Sequence, residues 1–266
     1  MSYVIKTWRD PYDAGFNTTS ARKVILEEGL TVLIGCNGAG KSTFLKNVEE
    51  QVKKENIPIL YFDQNGEGHR SNSIANSYWN QDFSFMSSMW TASEGEGIAL
   101  NVGRIASQLR EFLKDGETAK SRERRKWDTI FAPEKKQTKY SNKKRFILLD
   151  AIDSGYSIDN VLELKSLIKL VMEDSRKFGV ETFILVSANE FELACGERCL
   201  DVQRGKYLQM KSYPVYKRFI LSSRKRKELR LDKAEEKRKT GKQKEKNLHE
   251  DNVRKRRETW GNEGRG

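Results

Sequence analysis

Eight consecutive residues, Gly35-Cys36-Asn37-Gly38-Ala39-Gly40-Lys41-Ser42, have the types and spacing to hold a chain of phosphates. They fit the pattern G-x-x-x-x-G-K-[ST]. Glycines let successive backbone N–H groups converge on an anion, and a helix N-terminus adds partial positive charge. In that chemistry Lys41 bridges the β- and γ-phosphates, and the Ser42 hydroxyl ligates Mg²⁺. A second chemical group stands at the end of Phe146-Ile147-Leu148-Leu149-Asp150. A buried strand of this kind delivers its terminal carboxylate next to a metal's water shell.

The elements that must position these groups follow from hydrophobic patterning. Val32, Leu33 and Ile34 read as a strand running into the loop, and Thr43 to Val48 as the first turns of a helix. The helix is expected over 41–54. Further strands are expected at Val4-Ile5, 24–26, 59–62, 146–149 and 182–186, with a terminal hairpin over 199–203 and 206–210 around Arg204-Gly205. Ile98, Val102, Ile105, Leu109, Phe112 and Leu113 keep helical spacing, as do Val161, Leu164, Leu167, Ile168, Val171 and Met172. Continuous apolar strands alternating with helices imply a mainly parallel sheet covered on both faces.

Composition narrows the function classes. Of 266 residues, 36% are hydrophobic and 33% charged, so a core is affordable over part of the chain only. The sequence holds no apolar run long enough for a transmembrane helix and no signal-peptide layout. The three cysteines (Cys36, Cys195, Cys199) and two distant histidines (His69, His249) make a disulfide or zinc framework unexpected, and point to a cytoplasmic protein. The net charge of +12 is concentrated at one end: residues 217–266 carry 19 Lys+Arg against 9 Asp+Glu. Such runs attract phosphate backbones through counterion release; a solvated charged helix explains the same composition, because acidic residues are interspersed. Residues 114–144 form a second basic stretch, with Arg124, Arg125 and Lys126 beside Trp127. These residues suit either nucleic-acid contact or a docking loop for a protein.

The wording of the phosphate loop resembles the N-G-x-G-K-S-T form of the ABC class of P-loop NTPases, which includes transporter nucleotide-binding domains and SMC, RecF and SufC-like ATPases. Ser93-Glu94-Gly95-Glu96 resembles that class's signature in its soluble form. Asp150-Ala151-Ile152-Asp153-Ser154-Gly155 resembles the Walker B segment running into the D-loop, and Gln64 stands where the Q-loop glutamine would. The motifs occur in the family's order, over roughly residues 1–212. The resemblance implies an α/β P-loop NTPase fold: an ABC-ATPase-like, mainly parallel sheet flanked by helices, with a helical signature subdomain. Residues 114–144 would then be an insertion between signature helix and Walker B strand, and 213–266 a basic helical or disordered extension.

The resemblance also implies a mechanism. ATP and Mg²⁺ would bind through Gly35, Asn37, Gly38, Ala39, Gly40, Lys41, Ser42 and Thr43, with Ser42, Gln64 and Asp150 around the metal. Ser93 and the backbone near Gly95 would meet the γ-phosphate across an ATP-dependent homodimer. Lys41, Asp150, Gln64 and Ser93 would carry catalysis, and Tyr12 or Phe16 would stack on the adenine. Two positions depart from the family. Ala151 stands where the general-base glutamate belongs, and Ala188 where the switch histidine is expected. A methyl group takes no proton from water, and losing a positioned base costs about 10²–10⁴-fold in rate. Asp153, Glu190 and Gln64 are candidates for partial substitution. The expectation is slow ATP hydrolysis by a protein working on or near nucleic acid. The alternatives are a non-hydrolysing ATP-gated scaffold and the cytosolic subunit of a transporter. A P-loop small-molecule kinase would leave the signature and D-loop unexplained.

Overall fold

A computed structural model describes residues 1–7, 23–63, 87–88, 91, 94–118, 122, 143–236 and 239. The chain is α/β. Its main sheet has six strands in the order β4-β5-β6-β3-β7-β8, where β3 is Gly29–Ile34, β4 Ile59–Asp63, β5 Lys144–Asp150, β6 Glu181–Ser187, β7 Arg198–Asp201 and β8 Lys206–Gln209. The first five of these in spatial order are parallel, and β8 closes the edge antiparallel to β7. The first two expected strands, β1 (Ser2–Lys6) and β2 (Lys23–Glu27), pair antiparallel in a separate two-stranded sheet.

The continuous apolar strands have a simple cause: both faces are buried. Along β5, Phe146 and Leu148 enter one core while Ile147 and Leu149 enter the other; Phe183 and Leu185 of β6 part from Ile184 and Val186 in the same way. That alternation is the two-residue period of a strand. One face is covered by α1 (Lys41–Lys54), through Phe44, Leu45, Val48 and Val52, and by the β1–β2 pair. There Tyr3 meets Phe146 edge-on at 5.0 Å, and Phe146 stacks on Phe183 at 4.7 Å.

The other face carries α2 (Glu94–Asp115), α3 (Ile158–Lys177) and the short α4 (Phe191–Ala194). Ser157 caps α3, its hydroxyl accepting from the Asn160 N–H, and Arg176 and Lys177 complement the helix dipole at the far end. Both helices expected from apolar spacing are therefore present, each a few residues longer than its stripe. The terminal hairpin differs in its turn: β7 ends at Asp201, whose carboxylate accepts from the Gln203 N–H and whose carbonyl accepts from the Gly205 N–H at 2.7 Å. Val202 and Gln203 thus belong to the turn.

Residues 213–236 form a fifth helix, α5. It lies against the domain rather than apart from it: Tyr216 and Ser223 are buried, and Phe219 and Ile220 pack on the core. Gln64, Ser93, Tyr12, Phe16 and most of 114–144 fall outside the described residues. So do most residues after 236, which include the Arg254–Arg257 cluster. Among the described residues no helix is long and apolar enough to cross a membrane.

Candidate functional site

Parallel strands end together, and here the shared ends collect the chemistry. Register sets Asp63 beside Asp150, Leu149 beside Val186 and Leu33 beside Ser187. The loop after β3, Asp150 and the turn after β6 therefore open at the same C-terminal edge, the usual ligand edge of an open α/β sheet. A cavity of about 600 Å³ lies there, lined by residues 37–43 together with Asp150, Ala151, Ser154, Gly155, Ser187, Asn189 and Glu190.

The loop's shape follows from its glycines. A Cβ at Gly35 would stand 2.8 Å from the Ala39 Cβ, and Gly38 and Gly40 hold φ of 72° and 98°. The Ala39 N–H bonds back to the Cys36 carbonyl at 3.0 Å, closing the turn. Gly40 then caps α1 without a side-chain hydrogen bond, and no acidic residue sits in the helix's first turn. The first N–H groups of a helix lack internal partners, so an end without a side-chain cap can take an anion. Lys41 is only 8% exposed and donates to the Gly35 carbonyl at 2.9 Å. Burial pushes its ammonium below the ordinary lysine range, against the opposing attraction of Asp153, Cys36 and Asp150. Ser42 is exposed toward the cavity and Thr43 is half-buried beside it.

Asp150 is 3% exposed. Its Oδ2 accepts from the Tyr61 hydroxyl at 3.0 Å, while its Oδ1 is buried with no hydrogen-bond partner. A buried carboxylate oxygen without a partner is costly. With Ser42 on the same cavity, it fits the metal and metal-bound water expected there. Among the described residues there is no cluster of three His, Cys, Asp or Glu side chains that could hold a metal. A cation at this place would need oxygens from a ligand and from water to complete its shell. Nothing local in the sequence marks Tyr61: it reaches Asp150 from β4 across 89 residues, and only strand pairing brings the two together. Burial, then Asp150, pushes the Tyr61 phenol well above the usual tyrosine range, so it stays a donor.

Ala151 has φ of 51°, a left-handed backbone uncommon outside glycine, and its side chain contributes only a methyl to the cavity. Asp153 is 1% exposed and has a structural task. Its carboxylate accepts from the Asn189 N–H (2.7 Å), the Asn189 side chain (3.2 Å) and the Glu190 N–H (2.8 Å). This ties the turn after β5 to the turn after β6. Burial raises the Asp153 pKa, partly offset by those backbone donors. Ala188 is fully buried, its N–H bonded to the Leu33 carbonyl at 3.1 Å, so Ser187 and Asn189 are the residues that face the cavity. Of the residues that could partly substitute for the missing base, Asp153 is committed to the two turns and Gln64 is outside the described residues. Glu190 lines the cavity with its carboxyl raised by partial burial and by Asp153 and Glu192.

Residues 37–43 and Asp150 thus line one cavity, and Gly35 lines the neighbouring one. Gly95 lies in the first turn of α2. No protein-family model matches the sequence, and no curated protein matches it.

Proposed function

We propose that the chain is an ABC-class P-loop ATP-binding domain that takes Mg-ATP at residues 35–43, dimerises around it and turns it over slowly. One observation carries this reading: an uncapped, glycine-shaped loop with a buried lysine shares its cavity with a buried aspartate, one of whose carboxylate oxygens has no hydrogen-bond partner. The loop N–H groups would wrap the phosphates, and Lys41 would leave the Gly35 carbonyl for a phosphate oxygen. Ser42 and Asp150 would hold Mg²⁺, which when bound neutralises phosphate charge and fixes the chain's orientation. Tyr61 orients Asp150 by its hydrogen bond.

Slow turnover follows from Ala151, which puts a methyl where a proton acceptor is needed. That same methyl favours a second reading, a scaffold in which bound ATP locks a dimer without hydrolysis. Action on nucleic acid rests on the basic excess of residues 217–266. Sizing the protein with and without Mg-ATP, while measuring phosphate release, tests the proposal. An ATP-dependent dimer with slow release supports the ATPase, and a dimer with no release supports the scaffold. A monomer in both conditions contradicts dimerisation around ATP.

A further inference from the structure

The C-terminal helix reaches the outer side of the phosphate loop with two side chains. Ser223, fully buried, accepts from the Cys36 N–H at 3.1 Å, and Lys227 donates to the Asn37 carbonyl at 3.0 Å. Lys227 runs so close over Gly38 that a Cβ there would lie 2.6 Å from its Nζ and 3.1 Å from its Cε. Its position is fixed by neighbours on the same helix. Arg226 bonds Asp201 and Gln203, each at 3.0 Å, and Arg230 donates to the Gln203 carbonyl at 3.0 Å. The adjacent Glu228 is engaged by Arg224 at 3.1 Å.

Peptide geometry gives this contact a direction. None of the described peptide bonds is cis. In a trans peptide the carbonyl and the following N–H point to opposite sides. A cation on the Asn37 carbonyl therefore stands behind the Gly38 N–H, which points away from α5. Gly38 lines the cavity that holds Ser42 and Asp150; Lys227 lines a neighbouring cavity of about 640 Å³, and the two cavities share Asn37, Asn189 and Glu190.

We propose that Lys227 is a positioning residue for anion binding: it polarises the Asn37–Gly38 peptide from behind and adds a positive charge to the loop's outer side. The proposal rests on the reading of residues 35–43 as a phosphate site. Hydrogen-bonded groups polarise one another, and an ammonium does so more strongly than a neutral donor. The helix that begins the basic extension is then part of the nucleotide site rather than an appendage to it.

The test is calorimetric titration of the full chain with Mg-ATPγS and with inorganic tripolyphosphate, at low and high salt, using Lys227→Gln and Lys227→Arg. Glutamine keeps an N–H donor for the carbonyl and removes the charge. K227Q is expected to bind both probes about tenfold more weakly at low salt, with the gap narrowing as salt screens the charge. K227R keeps the charge and an N–H donor, and is expected to bind both probes more tightly than K227Q at low salt. K227Q binding as tightly as the unaltered chain, or a gap indifferent to salt, overturns the role of Lys227 and leaves the phosphate site standing. An unaltered chain that binds neither probe removes the site and this inference with it.

Discussion

Replacing Ala151 with glutamate tests the chemistry of the cavity. The backbone there is already left-handed, at φ 51°, and a linear side chain pays about the same 1–2 kcal/mol in that region as alanine does. The new carboxylate would join Asp150 and Glu190 on one cavity wall. Two carboxylates about 6 Å apart repel by about 3 kcal/mol at an effective dielectric of 20. A151E is therefore expected to be less stable than the parent by up to about 3 kcal/mol without metal, and to recover with Mg-ATP. Against this stands the gain of a positioned base, about 10²–10⁴-fold, or about 3–5 kcal/mol of barrier. The gain matches or exceeds the repulsion, which bound Mg²⁺ and Lys41 reduce, so single-turnover phosphate release should accelerate. An A151E rate equal to the parent's, in a protein that still binds nucleotide, refutes the assignment of position 151. So does a parent that already turns over several times per second.

Two further outcomes follow from the same contacts. Lys41 has a lowered pKa in the ligand-free chain because it is buried, and a bound polyphosphate would restore its charge. Nucleotide affinity is then fullest below the ligand-free pKa and falls as pH rises through it, with proton uptake on binding visible by calorimetry in buffers of different ionisation enthalpy. An affinity constant up to the ordinary lysine range contradicts this. Ser223→Ala leaves the buried Cys36 N–H without its hydroxyl partner and removes one of the hydrogen bonds to Gln203 Oε1, which Arg226 still donates to, and should cost about 1–3 kcal/mol in urea unfolding. A loss under about 0.5 kcal/mol means that α5 is not anchored through this residue.

Much of this arrangement was legible in the residues themselves. The apolar runs at 31–34, 146–149 and 182–186 became the central strands because burial on both faces demands unbroken hydrophobicity. The loop and Asp150 were legible because their chemistry is local. The partners of Asp150 and Asp153 were not, since Tyr61, Asn189 and Glu190 meet them only through strand pairing. The docking of α5 was hidden for a different reason. Its apolar stripe is narrow (Tyr216, Phe219, Ile220, with Ser223 completing the helical spacing), and the dense charge after Arg224 dominates the composition. The contact it makes is also mostly polar, through Ser223, Arg226 and Lys227, which hydrophobic periodicity cannot register.

The proposed activity requires that the amides around Gly38 and Lys41 hold a phosphate chain. Titrating the purified chain with Mg-ATP, in parallel with Lys41→Ala, measures this directly. Saturable binding by the unaltered chain, lost or strongly weakened in K41A while the fold persists, is the expected result. No binding of adenine or guanine nucleotides at millimolar concentration, or equal binding by both proteins, would contradict it.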